Sequence, residues 1–156
     1  MTAGSQQEAL KRALKFLGYR DRSEAELRTK LTQSGFPRKI IEPTLEKLRS
    51  LNLVNDENFA RNFPLGRVED RGYGPLRLER ELRQKGIAKS IVSRILEEAF
   101  GKQEGKERAK TLLEKRFRGK NLSDAKVLHR AVSFLRRRGY RDSVIAEILR
   151  QPLGDD

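Results

Sequence analysis

The chain has 156 residues and carries 35 Lys+Arg against 22 Asp+Glu, a net charge of +13, with no cysteine and one histidine. These counts exclude a disulfide framework, thiolate zinc sites and cysteine nucleophiles. No stretch approaches the roughly 20 apolar residues of a transmembrane helix. The opening MTAGSQQEAL lacks the basic-then-apolar pattern of a signal peptide, so a reducing cytoplasm is expected and a membrane is not an expected partner.

Charged residues make up 37% and apolar residues 36% of the chain, where about 25% charged is usual for a globular domain. The apolar residues are evenly spread and recur at helical spacing, which favours folded units with small cores over disorder. The excess of positive charge points to a polyanionic partner, either nucleic acid or an acidic protein surface.

The elements follow in chain order. Leu10, Ala13, Leu14 and Leu17 form an amphipathic segment. Ser23-Glu24-Ala25-Glu26 reads as a capping box and opens a helix with Leu27 and Leu31 on one face. Gly35 ends that helix, because a left-handed C′ position favours a residue without Cβ. Phe36 plugs the turn, and Ile40, Ile41 and Leu45 begin a second stripe after Pro37. The connector LNLVND (51–56) leads to Phe59, Ala60, Phe63 and Val68, and DRGYG (70–74) precedes Pro75. Leu78, Leu82, Gly86, Ile87, Ile91, Val92 and Leu96 then repeat the pattern. GKQEG (101–105) reads as a polar, glycine-flanked hinge. Beyond it Ala109, Leu112, Leu113 and Phe117 form a further stripe, followed by RGKNL (118–122). Ala131, Leu135, Gly139, Tyr140, Val144, Ile145 and Leu149 give a third copy, with Asp142 and Ser143 as expected caps of the final helix.

The anchoring glycines 35, 86 and 139 are 51 and 53 residues apart. Helical arrays such as tetratricopeptide and HEAT repeats have periods of about 34 to 47 residues and fit poorly. The pattern predicts an all-α protein of three tandem three-helix, helix-turn-helix-like repeats at 1–56, 57–104 and 105–156, with nine helices and no sheet. The first repeat holds 11 basic and 7 acidic residues (+4), the second 10 and 8 (+2), the third 14 and 7 (+7).

The run Arg71-Gly72-Tyr73-Gly74-Pro75-Leu76-Arg77-Leu78, followed by Glu81-Leu82-Arg83-Gln84-Lys85-Gly86-Ile87, resembles the middle-repeat signature of the RecX family, regulators of the RecA recombinase. Ser23, Glu26-Leu27, Lys30-Leu31 and Gly35-Phe36 are similar to the family's first helix-turn-helix. Leu53-Val54-Asn55-Asp56-Glu57 with Phe59-Ala60 resembles its junction between repeats one and two, and Phe134-Leu135-Arg136-Arg137-Arg138-Gly139-Tyr140 its third repeat. The resemblance covers roughly residues 9–150. Asn62-Phe63-Pro64-Leu65-Gly66 departs from it, since the family runs a continuous basic helix there. A proline inside a helix costs about 3 kcal/mol, so a kink or break is expected.

The resemblance implies an elongated, bent array that binds in the groove of the RecA–single-stranded DNA filament. It implies limits on filament growth, ATP hydrolysis, strand exchange and co-protease activity, and contact with single-stranded DNA directly or through RecA. Arg71, Tyr73, Arg77, Arg80, Arg83, Lys85, Arg136, Arg137 and Arg138 are the candidate partner or nucleic-acid contacts.

Each candidate has a competing structural role. Arg136–Arg138 end a helix, where basic side chains also offset the macrodipole. The middle-repeat arginines alternate with Glu79 and Glu81 and also fit a solvated, ion-paired face. Tyr73 serves either base stacking or packing between repeats. The lone His129 has no second histidine for a metal site, and no carboxylate pair, phosphate-binding loop or other catalytic constellation stands out. A non-enzymatic, monomeric protein without cofactor is expected. The alternative is a non-specific DNA-binding protein acting on nucleic acid directly, although the helices after each glycine turn are apolar and partly acidic, which suits base readout poorly.

Overall fold

The computed structural model describes residues 4–64 and 72–150. Among the described residues nine helices and no strands form: α1 (Gln6–Tyr19), α2 (Glu24–Gln33), α3 (Arg38–Ser50), α4 (Asp56–Pro64), α5 (Pro75–Gln84), α6 (Lys89–Phe100), α7 (Lys102–Arg116), α8 (Ala125–Arg138) and α9 (Asp142–Arg150). Among them no helix is long and apolar enough to cross a membrane.

The three glycine turns share one hydrogen-bonding scheme. Gly35, Gly86 and Gly139 lie at φ of +97°, +80° and +101°. The amide after each glycine donates to the carbonyl five residues back: Phe36 to Leu31 at 3.2 Å, Ile87 to Leu82 at 3.2 Å and Tyr140 to Leu135 at 3.1 Å. This is the Schellman closure, which satisfies helix-terminal carbonyls left without amide partners. Phe36, Ile87 and Tyr140 are each less than a tenth exposed and plug the turns.

Capping is equally local. Ser23 and Glu26 form the expected reciprocal box at the start of α2, and Ser5 with Glu8 forms another on α1. Asp124 caps α8 through the amides of Lys126 and Val127.

The first repeat closes on a core of Ala9, Ala13, Leu27, Leu31, Ile41, Leu45 and Leu48, with α1, α2 and α3 in mutual contact. In the third, α7, α8 and α9 pack around Ala109, Leu113, Ala131, Leu135, Ile145 and Ile148. Burying each leucine or isoleucine contributes about 1.5–3 kcal/mol.

The described residues divide into two compact units, and neither coincides with a single repeat. The first runs to Arg61 and also takes Leu82–Ile91, while the second takes Asn62–Glu81 and continues from Val92. Inside the first unit the Gly86 turn sits on the N-terminal turn of α2, where Ser23 Oγ donates to the Lys85 carbonyl at 2.6 Å and Lys85 Nζ lies 3.0 Å from Glu26 Oε2. Inside the second unit the Gly139 turn sits on the N-terminal end of α5. There the Gly74 amide donates to the Arg138 carbonyl at 2.6 Å and the Leu76 amide to the Gly139 carbonyl at 2.8 Å. In both units, then, the glycine turn of one repeat seats on the start of the middle helix of the repeat before it.

Several expectations are corrected. GKQEG is no hinge: Gly101 is the N-cap of α7, the helix starts at Lys102, and Gly105 is buried with no room for a Cβ beside the Phe100 carbonyl. Leu14 is 44% exposed, because the small Ala9 and Ala13 form the buried face of α1. Asp142 is the first residue of α9 and not its cap. In the third helix of each repeat the shared buried positions are six and nine residues past the glycine (Ile41 and Thr44, Val92 and Ile95, Ile145 and Ile148), whereas Leu96 and Leu149 at ten are half-buried. The expected kink around Pro64 and Gly66 and the role of Val68 lie outside the described residues: α4 is described as far as Pro64.

Candidate partner and nucleic-acid interface

The nine candidate residues have separate fates. Arg71 lies outside the described residues. Tyr73 is 7% exposed, and the Arg77 guanidinium stacks 4.0 Å above its ring centroid. Cation–π contact in such a half-desolvated place contributes about 1–2 kcal/mol. Arg77 also donates from Nη1 to the Arg137 carbonyl at 3.3 Å. Its buried Nε lies 3.6 Å from Glu81 Oε2, an ion pair too long to be a hydrogen bond. The structure thus brings Tyr73, Arg77 and the end of α8 together and gives them a packing role.

Lys85 is held against Glu26 in the first unit. Glu26 also accepts from Arg20 at 2.8 Å and from the Ser23 amide at 3.1 Å. Burial by itself would raise the Glu26 carboxyl, but the hydrogen bonds from Arg20, Ser23 and Lys85 prevail and hold it down at about 2.

The three consecutive arginines of α8 point three ways, as steps of about 100° around a helix require. Arg136 pairs with Asp142 across the turn at 2.8 Å, which lowers the Asp142 carboxyl and raises the guanidinium. Arg138 is half-buried over the Phe134 ring at 4.8 Å, and its Nε has no hydrogen-bond partner among the described residues. Only Arg137 is exposed without an ionic partner among them. Arg80 and Arg83, one turn apart on α5, are likewise exposed and unpaired among the described residues.

Arg137 opens onto a cleft of about 310 Å³ in the second unit, lined by Arg116, Phe117, Lys120, His129, Arg130, Ser133, Phe134 and Arg137. Among the described residues no carboxylate lines it. Its base is an edge-to-face pair, Phe117 and Phe134, with centroids 5.9 Å apart. Arg116 lies over both rings, at 5.6 and 5.7 Å. Sequence reasoning missed Arg116, Lys120 and Arg130 and considered His129 only as a metal ligand without a second histidine. One signal was available, since Arg130, Ser133, Phe134 and Arg137 fall at the 0, +3, +4 and +7 positions of a single helix face. Arg116 and Lys120 join them only through the packing of α7 on α8.

Comparison with known proteins agrees with this repeat architecture. The first, second and third three-helix domains of RecX match residues 9–48, 55–96 and 103–149 in order. A Regulatory protein RecX of Prosthecochloris aestuarii is 42% identical over 98 residues, 63% of this chain and 65% of that protein, just under two thirds of its length. The protein of the same name from Halorhodospira halophila is 35% identical over 139 residues, 88% of this chain and 84% of its own. A crystal structure of a regulatory protein RecX superposes with a TM-score of 0.77 at 29% identity, covering 94% of this chain and 72% of that one. With all three domains matched in order along one all-helical chain, the protein belongs to the RecX family of regulatory proteins.

Proposed function

We propose that this protein regulates the RecA recombinase, acting in the cytoplasm as a monomer that binds in the groove of the RecA–single-stranded DNA filament. There it limits filament growth, ATP hydrolysis and strand exchange. The observation that carries the reading is the ordered match of three RecX domains across the chain. The three repeats, taken as 1–56, 57–104 and 105–156, suit a partner that is itself quasi-periodic, because weak contacts from linked modules reinforce each other through effective concentration. Arg80, Arg83 and Arg137 are exposed and free of described ionic partners, and so remain available to such a partner. Binding without chemistry at a bound substrate is the mode of action this reading assigns.

Sequence-specific duplex recognition is the weaker reading. The exposed positions of α9 include Asp142, Ser143, Ala146 and Glu147, which offer little to the edges of bases in a major groove. The decisive assay is RecA ATP hydrolysis on single-stranded DNA. Substoichiometric protein is expected to suppress hydrolysis and shorten filaments. Unchanged hydrolysis together with unchanged filament length sinks the reading.

A further inference from the structure

Part of the basic surface serves the fold: Arg28 and Arg49 hold Glu24, Lys85 holds Glu26, Lys106 holds Glu147 and Arg136 holds Asp142. The α7–α8 cleft gathers cations that do not. In the cleft four cations, Arg116, Lys120, Arg130 and Arg137, are all exposed, and none has an ionic partner among the described residues. Like charges gathered without compensation repel one another, and an incoming polyanion relieves that repulsion.

We propose that this cleft binds the phosphodiester backbone of single-stranded nucleic acid, without reading its bases. Three of the four cations are arginines, whose planar forks match phosphate oxygens two at a time. Arg130 and Arg137 lie two turns apart on one face of α8, about 10 Å along the axis, so they engage separate phosphates of an extended strand. Arg116 is already positioned by its contacts with both phenylalanine rings, so it loses less freedom on binding than a free side chain. The Ser133 hydroxyl adds a neutral donor on the same face. Base stacking is not available at Phe134, which is buried and already covered by guanidinium groups. A cleft of about 310 Å³ lies at the lower end of the small-molecule pocket range.

The inference deepens the proposed function by naming a surface for the DNA of the filament, yet it is tested without RecA, so the two fail separately. Full-length protein is titrated into dye-labelled oligo(dT), and binding is followed by fluorescence anisotropy across a range of salt concentrations. For single strands the slope of log affinity against log salt is roughly −0.7 per phosphate contact. The exposed pair R130Q/R137Q is expected to flatten the slope by about 1.4 and weaken binding at least tenfold at low salt, while an oligo of mixed sequence binds wild type as well as oligo(dT). K120Q, in the turn outside the helices, is expected to flatten it by roughly 0.7, and serves as an independent probe if the double variant misfolds. Slopes and affinities unchanged in both variants overturn the proposal. So does loss of binding in R80Q/R83Q with none in the cleft variants. Displacement of the oligonucleotide by poly-glutamate as readily as by unlabelled DNA of equal charge would make the site one for acidic protein, and also overturns it.

Discussion

Replacing Gly139 with alanine adds one methyl group where the turn after α8 crosses the start of α5. Its Cβ would lie 2.5 Å from Arg77 Cβ and 2.6 Å from the Arg77 backbone nitrogen, closer than a Cβ tolerates. The neighbour is main chain, so relief requires the two segments to separate. Separation breaks the Gly74–Arg138 and Leu76–Gly139 hydrogen bonds, each contributing about 1 kcal/mol net. The backbone strain of alanine at φ +101° adds about 1–2 kcal/mol. Gly139→Ala is therefore expected to destabilise the protein by about 3–4 kcal/mol. Gly35→Ala is the internal control: its φ of +97° is nearly the same, but nothing lies within 4 Å of the added methyl. Only strain remains there, about 1–2 kcal/mol. Urea unfolding followed by far-ultraviolet circular dichroism measures both. Equal losses in the two variants, or a larger loss for Gly35→Ala, would refute the docking of the third-repeat turn on α5.

Three further outcomes follow from the same geometry. A methyl on Gly86 collides with the Ala25 side chain; Gly86→Ala combined with Ala25→Gly should lose at least ~1 kcal/mol less than the sum of the single variants, and a purely additive double-mutant cycle contradicts the contact. Glu26 sits at about 2 in the folded protein against an ordinary 4.5, so its contribution is present above about 4.5 and fades as the pH falls towards 2; Glu26→Gln should lower stability by about 1–2 kcal/mol at neutral pH, after allowing for solvent screening of the exposed Arg20 partner, with the two stability curves converging in acid. Burial pushes the Tyr140 phenol up to about 12 from 10.0, so stability linked to it is complete below 10 and is lost as the pH rises towards 12; in a spectrophotometric titration Tyr140→Phe should remove a phenolate step near 12, and an unchanged titration curve would contradict the burial argument.

What could be read from the sequence alone was whatever depends on neighbours within about ten residues. A left-handed turn favours glycine wherever it occurs, so Gly35, Gly86 and Gly139 marked the repeat, and the residues four before and one after each were legible as core. The capping box at Ser23 was legible because its partner is three residues away. Local rules had less authority where packing opposed them. Pro43 lies inside α3, which nevertheless continues to Ser50 with Ile41, Thr44, Leu45 and Leu48 buried on its inner face. Leu14 fitted the apolar stripe of α1, yet close helix approach selected the alanines and left it outside.

The fate of the charges belonged to tertiary structure. Lys85 and Arg77 looked no different in sequence from Arg80 and Arg83. Lys85 is bound by Glu26, 59 residues away, and Arg77 by the carbonyl of Arg137, 60 residues away. Such pairings depend on where each glycine turn docks on the preceding repeat, which no local pattern encodes. Packing of α7 on α8 likewise gathers Arg116 and Lys120 with Arg130 and Arg137. The sequence determined three glycine-turned helical repeats with an excess of 13 positive charges. Only the fold decided which of those charges hold the protein together and which stay free to meet a partner, because an ion pair is set by distance in space and not by separation along the chain.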